Sequence, residues 1–110
     1  MIEKRVIDYL TGLNVPVYAE LPEPNEGQFL IVEKTGATRE NLIESATLIV
    51  QSYADTKYEA ALLNQRVKDA MFDMVFEHNI SDVRLNSDYD FTDTSTKRYR
   101  YQAVFVVTYY

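Results

Sequence analysis

The chain has 110 residues, of which 46% are hydrophobic and 25% are charged, as expected for one globular domain with its own core. Its formal net charge of −6 disfavours a role in binding nucleic acid or a membrane surface, because such binding depends largely on lysine and arginine. The absence of cysteine excludes disulfides, thiolate metal sites and a cysteine nucleophile, and no apolar run approaches the roughly 18 residues of a membrane helix.

The first quarter of the chain predicts a helix and a short strand. Apolar residues recur at helical spacing from Ile2 to Leu13, and this helix is expected to end near Gly12. Residues 15–20 are rich in β-branched side chains and predict a short strand. Residues 21–28 contain two prolines and predict a loop.

Two longer strands are predicted next. Residues 29–35 form an apolar run typical of a strand, and residues 36–41 are turn-prone. Residues 42–53 alternate, with Leu48 and Val50 on one face of the predicted strand. The simplest arrangement is an antiparallel hairpin.

The second helix has the clearest sequence signals. Thr56 and Glu59 have the spacing of a capping box, in which the Thr hydroxyl accepts a bond from a backbone N–H. From Ala70 to Phe76 the helix is apolar nearly all round, which a helix covered on one side only would not need. Asn79 is expected to end it in a left-handed conformation.

The remaining residues predict two more strands. Residues 80–85 predict a short strand with Val83 and Leu85 on one side, and residues 86–96 predict a polar loop. Residues 97–110 alternate along their whole length and predict a long final strand. Such a terminal strand would offer an edge that must be covered or paired.

These elements predict an α+β fold in the order α-β-β-β-α-β-β. We expect a mostly antiparallel sheet of four to five strands with two helices packed on one face. Residues 1–110 are predicted to form a single domain, because no repeat, linker or low-complexity segment divides them.

Candidate catalytic residues are few. His78 is the only histidine, and its position in the last turn of the second helix suits a cation at a helix C-terminus. No nucleophile motif accompanies it. Asp69 and Asp73 lie one turn apart on the same helix and are interpreted as part of a charged helix face rather than as an acid–base pair.

One acidic segment resembles the start of a calcium loop. Asn86, Asp88 and Asp90 have the spacing of its first three ligands. Phe91 then stands where a glycine must turn the chain, and Lys97 where a bidentate glutamate is needed, so a solvated loop is expected. We therefore predict no metal, no cofactor, no catalytic residue and no enzymatic activity.

The remaining features concern packing. Residues 97–101 interleave basic and aromatic side chains, as single-strand nucleic-acid binders do, but three charges are few against the net charge of the chain. Tyrosine and arginine are also enriched where proteins meet, so self-association is expected. The candidate subunit-interface residues are Phe72, Phe76, Arg98, Tyr99, Arg100, Tyr101, Tyr109 and Tyr110.

The whole layout resembles a known family. A first helix leads to the strand at 15–20, a proline-containing loop, the strand at 29–35, a hairpin into 48–55 that runs straight into the second helix, and an aromatic last strand. In this order and style the chain resembles the small tail-terminator or tail-completion proteins of long-tailed bacteriophages and prophages, also described as minor tail or head–tail joining proteins.

The resemblance implies a virion protein without catalytic residues or cofactors. Such proteins form a ring, commonly a hexamer, that caps the completed tail tube and presents a docking face to head-completion proteins. The implied location is the bacterial host cytoplasm during assembly and then the tail or neck of the virion. The family has no motif that assigns roles to single residues, and the resemblance does not separate a tail terminator from a head-completion protein.

An acidic chain suits a channel through which DNA passes, because it would not hold phosphates by attraction. The candidate channel-facing residues are Glu23, Glu26, Asp88, Asp90 and Asp93.

Two alternatives belong to other classes. A monomeric binding or regulatory module, such as an inhibitor or nucleic-acid mimic, would present its acidic residues on one convex face, whereas here they are spread over both predicted helices and three loops. An enzyme would need His78 in a pocket with a carboxylate at hydrogen-bonding distance.

Overall fold

A computed structural model describes residues 1–23, 26–92 and 98–110. In chain order these form α1 (Ile2–Leu10), β1 (Val17–Tyr18), β2 (Phe29–Glu40), β3 (Ile43–Ala54), α2 (Lys57–Asp73), β4 (Ile80–Asp90) and β5 (Tyr99–Tyr109). Short 3₁₀ turns extend the two helices at Thr11–Leu13 and Met74–Phe76. The predicted α+β fold and its element order are confirmed. None of the described helices is long and apolar enough to cross a membrane.

In the described part of the chain the sheet has five strands, in the order β1-β2-β3-β5-β4. The short β1 runs parallel to β2, and the other three pairs are antiparallel. A strand of 12 residues, as in β2 and β3, spans about 40 Å. These strands explain the elongated shape, which measures 45 × 24 × 23 Å.

The position of the last strand differs from the sequence-based expectation. We predicted a terminal strand with an edge to be covered, but β5 lies inside the sheet between β3 and β4. Both of its backbone edges are therefore used within the chain. Within the described residues, the free edges are instead the outer side of β4, the outer side of the short β1, and the part of β2 beyond Ile31, where β1 no longer accompanies it.

Both helices pack on one face of the sheet, where they enclose the main core. The helical spacing of Val6 and Leu10 in α1 and of Leu63 and Val67 in α2 brings these residues to the sheet, where all are almost fully buried. The sheet contributes the inward-facing side chains Leu30, Val32, Ala46, Leu48, Val50, Val83, Ala103, Phe105 and Val107.

Within residues 1–23, 26–92 and 98–110, no helix lies on the opposite face of the sheet. At one end of this face Phe29, Ile31 and Tyr53 form a separate small buried cluster. The phenyl ring of Phe29 stacks on the ring of Tyr53 with a centroid distance of 4.6 Å. Further along, Ile49 and Val104 lie opposite each other and remain half-buried.

The predicted start of α2 is confirmed, but its end comes earlier than expected. The α-helix stops at Asp73 and the 3₁₀ turn at Phe76, so His78 and Asn79 lie beyond the helix and not in its last turn. The Thr56 hydroxyl accepts a hydrogen bond of 3.1 Å from the Glu59 N–H, as a capping residue does. After the 3₁₀ turn, Asn79 adopts a left-handed conformation with φ of 64° and directs the chain into β4. Its carbonyl accepts a bond from the Tyr110 N–H, which ties this turn to the end of β5.

Two segments expected to be loops are largely strand. Residues 36–41 were predicted as a turn, but β2 continues to Glu40 and the turn is only Asn41 and Leu42. The register shifts between Lys34 and Gly36, as at a β-bulge, and beyond it residues 36–40 pair regularly with β3.

Residues 86–96 were predicted as a polar loop, but β4 extends to Asp90 and pairs with β5 as far as Tyr101. Backbone hydrogen bonds to β5 hold this segment extended, and its exposed edge position tolerates polar side chains. A second register shift, between Leu85 and Ser87, lies within it.

Replacing Leu48 by alanine tests the importance of the core under the helices. Because Leu48 is fully buried in β3, Leu48→Ala should lower the free energy of unfolding by about 2–5 kcal/mol. Chemical denaturation measures the change. The matched control is Leu21→Ala at an exposed loop position, which should change stability by less than about 0.5 kcal/mol. Equal losses for the two variants would contradict this description of the core.

Candidate assembly interface

The tip of the β2–β3 hairpin exposes apolar side chains in an unfavourable conformation. Glu40 pairs with Ile43, so the loop consists of Asn41 and Leu42, which have positive φ angles of 52° and 68°. Two-residue turns of this kind favour glycine at the second position. Leu42 stands there instead with 76% of its surface exposed, and Ile43 beside it is about half exposed. We call Leu42 and Ile43 the hairpin tip.

A second apolar surface lies at the end of α2, next to the free edge strand β4. Phe72 contacts the buried Phe105 ring edge-to-face at 6.4 Å but is still 43% exposed. Phe76 is 84% exposed, and Val75 and Leu85 are partly exposed. We call Phe72, Val75, Phe76 and Leu85 the end patch.

The two predicted interface arginines are engaged within the chain. Arg100 lies between the rings of Tyr53 and Phe91, with its guanidinium carbon 5.4 and 4.4 Å from their centroids. It donates to the Tyr53 hydroxyl at 2.8 Å and to the Phe91 carbonyl at 3.0 Å. These contacts attach the segment after β4 to the helix-free face of the sheet.

Arg98 also makes its contacts within the chain, beside Phe29. It donates to the Asp55 carboxylate at 2.6 Å and to the Gly27 carbonyl at 2.8 Å, and its guanidinium carbon lies 5.7 Å from the Phe29 ring centroid. This side chain joins the loop before β2 to the segment between β3 and α2. Arg98 and Arg100 therefore hold loops of their own chain.

The predicted interface tyrosines fall into two groups. Tyr99, Tyr101 and Tyr109 are half-buried and alternate with the outward-facing residues of β5, on the same side as Phe105. Tyr110 lies beyond β5 and is mostly exposed. The residues best placed to contact a partner are thus Phe72, Phe76 and Tyr110.

Two of the predicted channel-facing acids are paired with lysines. Asp88 accepts from Asn64 at 2.7 Å and from the Lys68 ammonium at 2.6 Å, which links β4 to α2. Asp90 lies 3.3 Å from the Lys57 ammonium.

Asp90 is also held by its own loop. Its carboxylate accepts hydrogen bonds from the Thr92 side chain and backbone. Those bonds, together with Lys57, keep the pKa of the Asp90 carboxyl below its usual value.

The other three predicted channel-facing residues are Glu23, Glu26 and Asp93. Glu23 and Glu26 are exposed on the loop between β1 and β2. Glu26 comes three residues before β2, whose first residue pairs with Tyr53 near the end of β3. Glu26 is therefore at the same end of the sheet as Asp90. Asp93 lies outside the described residues.

The residues considered for catalysis are not brought together. Among residues 1–23, 26–92 and 98–110, the exposed His78 imidazole makes no hydrogen bond or ion pair, although its carbonyl accepts one from Arg5. No group of three His, Asp or Glu side chains in the same ranges is arranged to hold a metal ion.

A groove with a volume of about 460 Å³ lies between the helices and is lined by Tyr9, Leu13, Arg66, Asp69 and Asp73 among others. Tyr9 donates to the Ala70 carbonyl at 2.7 Å, and Arg66 donates to the Leu13 carbonyl. Burial, with Asp73 and Glu77 nearby, raises the pKa of Tyr9. These bonds hold α1 against α2, and we interpret the groove as a seam between two helices.

Sequence reasoning found part of these surfaces. It identified Phe72 and Phe76 but missed Tyr58 and Leu62, which are also exposed on α2 and which their four-residue spacing could have indicated. It also missed Leu42, for which no residue preference gives a signal, because leucine rarely adopts a positive φ. Comparison of the sequence with protein-family models and with curated proteins finds no match.

The contact between β4 and α2 can be tested at Asp88. Its removal leaves the buried Asn64 amide and the Lys68 ammonium without their acceptor, so Asp88→Ala should lower the free energy of unfolding by about 1–3 kcal/mol. Asp82→Ala breaks only an exposed ion pair with Arg84 and should cost less than about 1 kcal/mol. Denaturation curves in which both variants behave alike would rule out this role for Asp88.

A second prediction concerns alkaline pH. Burial and the adjacent Glu44 carboxylate, with a smaller effect of Glu3, raise the pKa of Tyr109 to about 12. Because the unfolded value is about 10, the folded state holds this proton more tightly. The resulting stability is fully present below pH about 10 and is lost as the pH rises through about 12.

The measurement is the free energy of unfolding as a function of alkaline pH. Wild type should lose stability more steeply above pH about 10 than Tyr109→Phe, which has no phenol to ionise at this position. Tyr110→Phe, at the exposed neighbouring position, should follow wild type. Parallel curves for wild type and Tyr109→Phe would disprove the assignment.

Proposed function

We propose that this protein is a non-enzymatic structural subunit of a phage or prophage virion, similar to a tail terminator, which forms a ring that caps the tail tube and joins it to the head. The order of helices and strands along the chain supports this class of protein. The observation that carries an assembly role is the hairpin tip, where Leu42 is both conformationally strained and exposed.

Leu42 is unfavourable in an isolated subunit for two reasons. A non-glycine residue with a left-handed backbone costs on the order of 1 kcal/mol or more, and glycine would remove that cost. The exposed side chain gains nothing from burial in the monomer. Burying a leucine side chain against another subunit would contribute about 1.5–3 kcal/mol, which is enough to offset the strain.

A closed ring needs two different surfaces on each subunit that fit each other. The hairpin tip and the end patch supply such a pair. They lie on opposite sides of β5 in the sheet order, since the tip joins β2 to β3 and the patch borders β4. A head-to-tail contact of the tip of one subunit with the end patch of the next would bury both apolar surfaces.

The distribution of negative charge fits a channel better than a mimic of nucleic acid. Glu23 and Glu26 are exposed on one loop, and we place them at the channel. Asp88 and Asp90 are paired with Lys68 and Lys57, so they add less free negative charge to any one surface. A nucleic-acid mimic would need those carboxylates unpaired.

Electron microscopy of the purified protein, alone and mixed with tails of its phage, tests the proposal. We expect rings with a central hole, either free or at the end of the tail tube. Absence of both rings and tail association would overturn the proposal, and a strict monomer that captures a basic protein would favour the binding module. A gene position between head-joining and tail-tube genes would be independent support.

Leu42→Gly separates the assembly role from folding. Glycine relieves the positive φ, so the variant should be as stable as wild type or more stable by up to about 1 kcal/mol. Ring formation or tail capping should nevertheless fall strongly, because the side chain that enters the neighbour is gone. Thr38→Ala, also exposed on the hairpin, is the matched control and should assemble normally. Normal assembly of Leu42→Gly would show that the tip is not an interface.

A further inference from the structure

The outer side of α2 and of the 3₁₀ turn that follows it carries a regular stripe of exposed residues, in which only Phe72 also reaches a ring of the sheet, that of Phe105. The six positions of the stripe are separated by four, three, four, three and four residues, which is the spacing of the contact seam between two paired helices. We call these residues the outer stripe: Tyr58, Leu62, Gln65, Asp69, Phe72 and Phe76.

The four apolar members of the outer stripe are incompletely covered. Tyr58 is 72% exposed and Leu62 is 48% exposed, while Phe72 and Phe76 belong to the end patch described above. The two polar members lie in the middle, where the Gln65 amide donates to the Asp69 carboxylate at 3.1 Å. Apolar residues at seam spacing on an outer helix face indicate a contact with another helix.

Read from the opposite end, the outer stripe has the same apolar positions but with the hydrogen-bond donor and acceptor exchanged. In chain order, two apolar residues come first, then a hydrogen-bond donor, then an acceptor, then two apolar residues. We propose that α2 pairs with α2 of a second copy of this chain, antiparallel, about a two-fold axis at the level of Val67. Tyr58 then faces Phe76 of the second copy, and Leu62 faces Phe72.

The two central residues decide the direction of the pair. In the antiparallel arrangement each Gln65 lies level with Asp69 of the second copy, so a second amide N–H can donate across the axis. In a parallel arrangement Asp69 would face Asp69 of the second copy, and two carboxylates would lie together in an apolar seam. The alternation of donor and acceptor therefore selects the antiparallel pair.

The contact is expected to be weak. A helix of 17 residues is about 26 Å long, so one helix pair buries less than the 1,200–2,000 Å² of a standard stable interface. The dimer should therefore depend on protein concentration. This contact is isologous, unlike the head-to-tail contact of a ring, and it covers Phe72 and Phe76, so pairing and ring closure through the end patch exclude each other.

Cysteine cross-linking measures the direction of pairing, and the cysteine-free chain is well suited to it. In the antiparallel pair, position 58 lies next to position 76 of the second copy. It is about 27 Å along the helix axis from position 58 of the second copy. Mild oxidation of a mixture of Tyr58→Cys and Phe76→Cys should therefore give the mixed dimer. Tyr58→Cys alone should give little, as should Thr38→Cys on the hairpin.

Each outcome of the cross-linking decides the proposal. A mixed disulfide that forms well above the level of either single variant supports it. Efficient cross-linking of Tyr58→Cys with itself shows a parallel pair and overturns it, and so does the absence of any cross-link at the highest soluble concentration.

Sedimentation equilibrium of variants without cysteine gives the energetic test. Tyr58→Ser should raise the dimer dissociation constant at least about tenfold with little effect on folding, because Tyr58 is exposed and lies outside the core. Gln65→Asp should weaken the dimer similarly by placing a carboxylate opposite Asp69. The exchanged double variant Gln65→Asp with Asp69→Gln restores the donor and acceptor and should recover most of the affinity.

These variants also separate this inference from the proposed function. Leu42→Gly should keep the dimer and lose the ring, whereas Tyr58→Ser should lose the dimer and keep the ring. A monomeric wild-type protein that still forms rings would overturn the helix pair alone. A dissociation constant of the exchanged variant no better than that of Gln65→Asp would exclude the central hydrogen bonds.

Discussion

The antiparallel pairing of β3 with β5 supports every other part of this molecule. It runs over eleven residue pairs, from Glu44 opposite Tyr109 to Ala54 opposite Tyr99. On one face of this pair, inward-pointing residues receive both helices. On the other face, Tyr53 and Arg100 lie side by side and hold the loops at the end of the sheet. β2 and β4 are attached to its two sides.

The molecule is built in two layers, the sheet and the helices, and apolar residues exposed on its surface suggest that a second protein covers them. The sheet and the helices bury one shared core, which is sufficient for a domain of this size. Yet α2 also exposes apolar residues on its far side, and the hairpin tip exposes Leu42. Both features cost the isolated subunit stability or solubility, and both become favourable once another protein covers them.

Much of the fold could be predicted because its signals are local. The helical spacing of apolar residues identified both helices, and Thr56 marked the start of α2. Asn79 has the expected left-handed backbone, but it turns the chain into β4 after the helix has already ended at Asp73. Alternation placed Leu48 and Val83 on the core side of their strands. The resulting α+β fold with both helices on one face is the one observed.

The errors concern pairing between distant segments. Side-chain patterns do not say which strand lies beside which, so the interior position of β5 was not foreseen. For the same reason residues 86–90 were expected to be a loop, although backbone bonds to β5 keep these polar residues extended. The roles of Arg98 and Arg100 were also hidden, since their partners lie far away in sequence.

The interior position of β5 has a consequence for how the chain folds as it is made. β5 is the last of the five strands to be synthesised, yet it lies between two strands made earlier. Until it arrives, β3 and β4 lack the neighbour that joins them, and the core lacks Phe105. The sheet therefore cannot be completed strand by strand during translation. β5 pairs locally with the preceding β4, but completion of the sheet also requires β5 to dock along β3, a long-range step that is intrinsically slow and leaves the edge of β3 unpaired in the nascent chain.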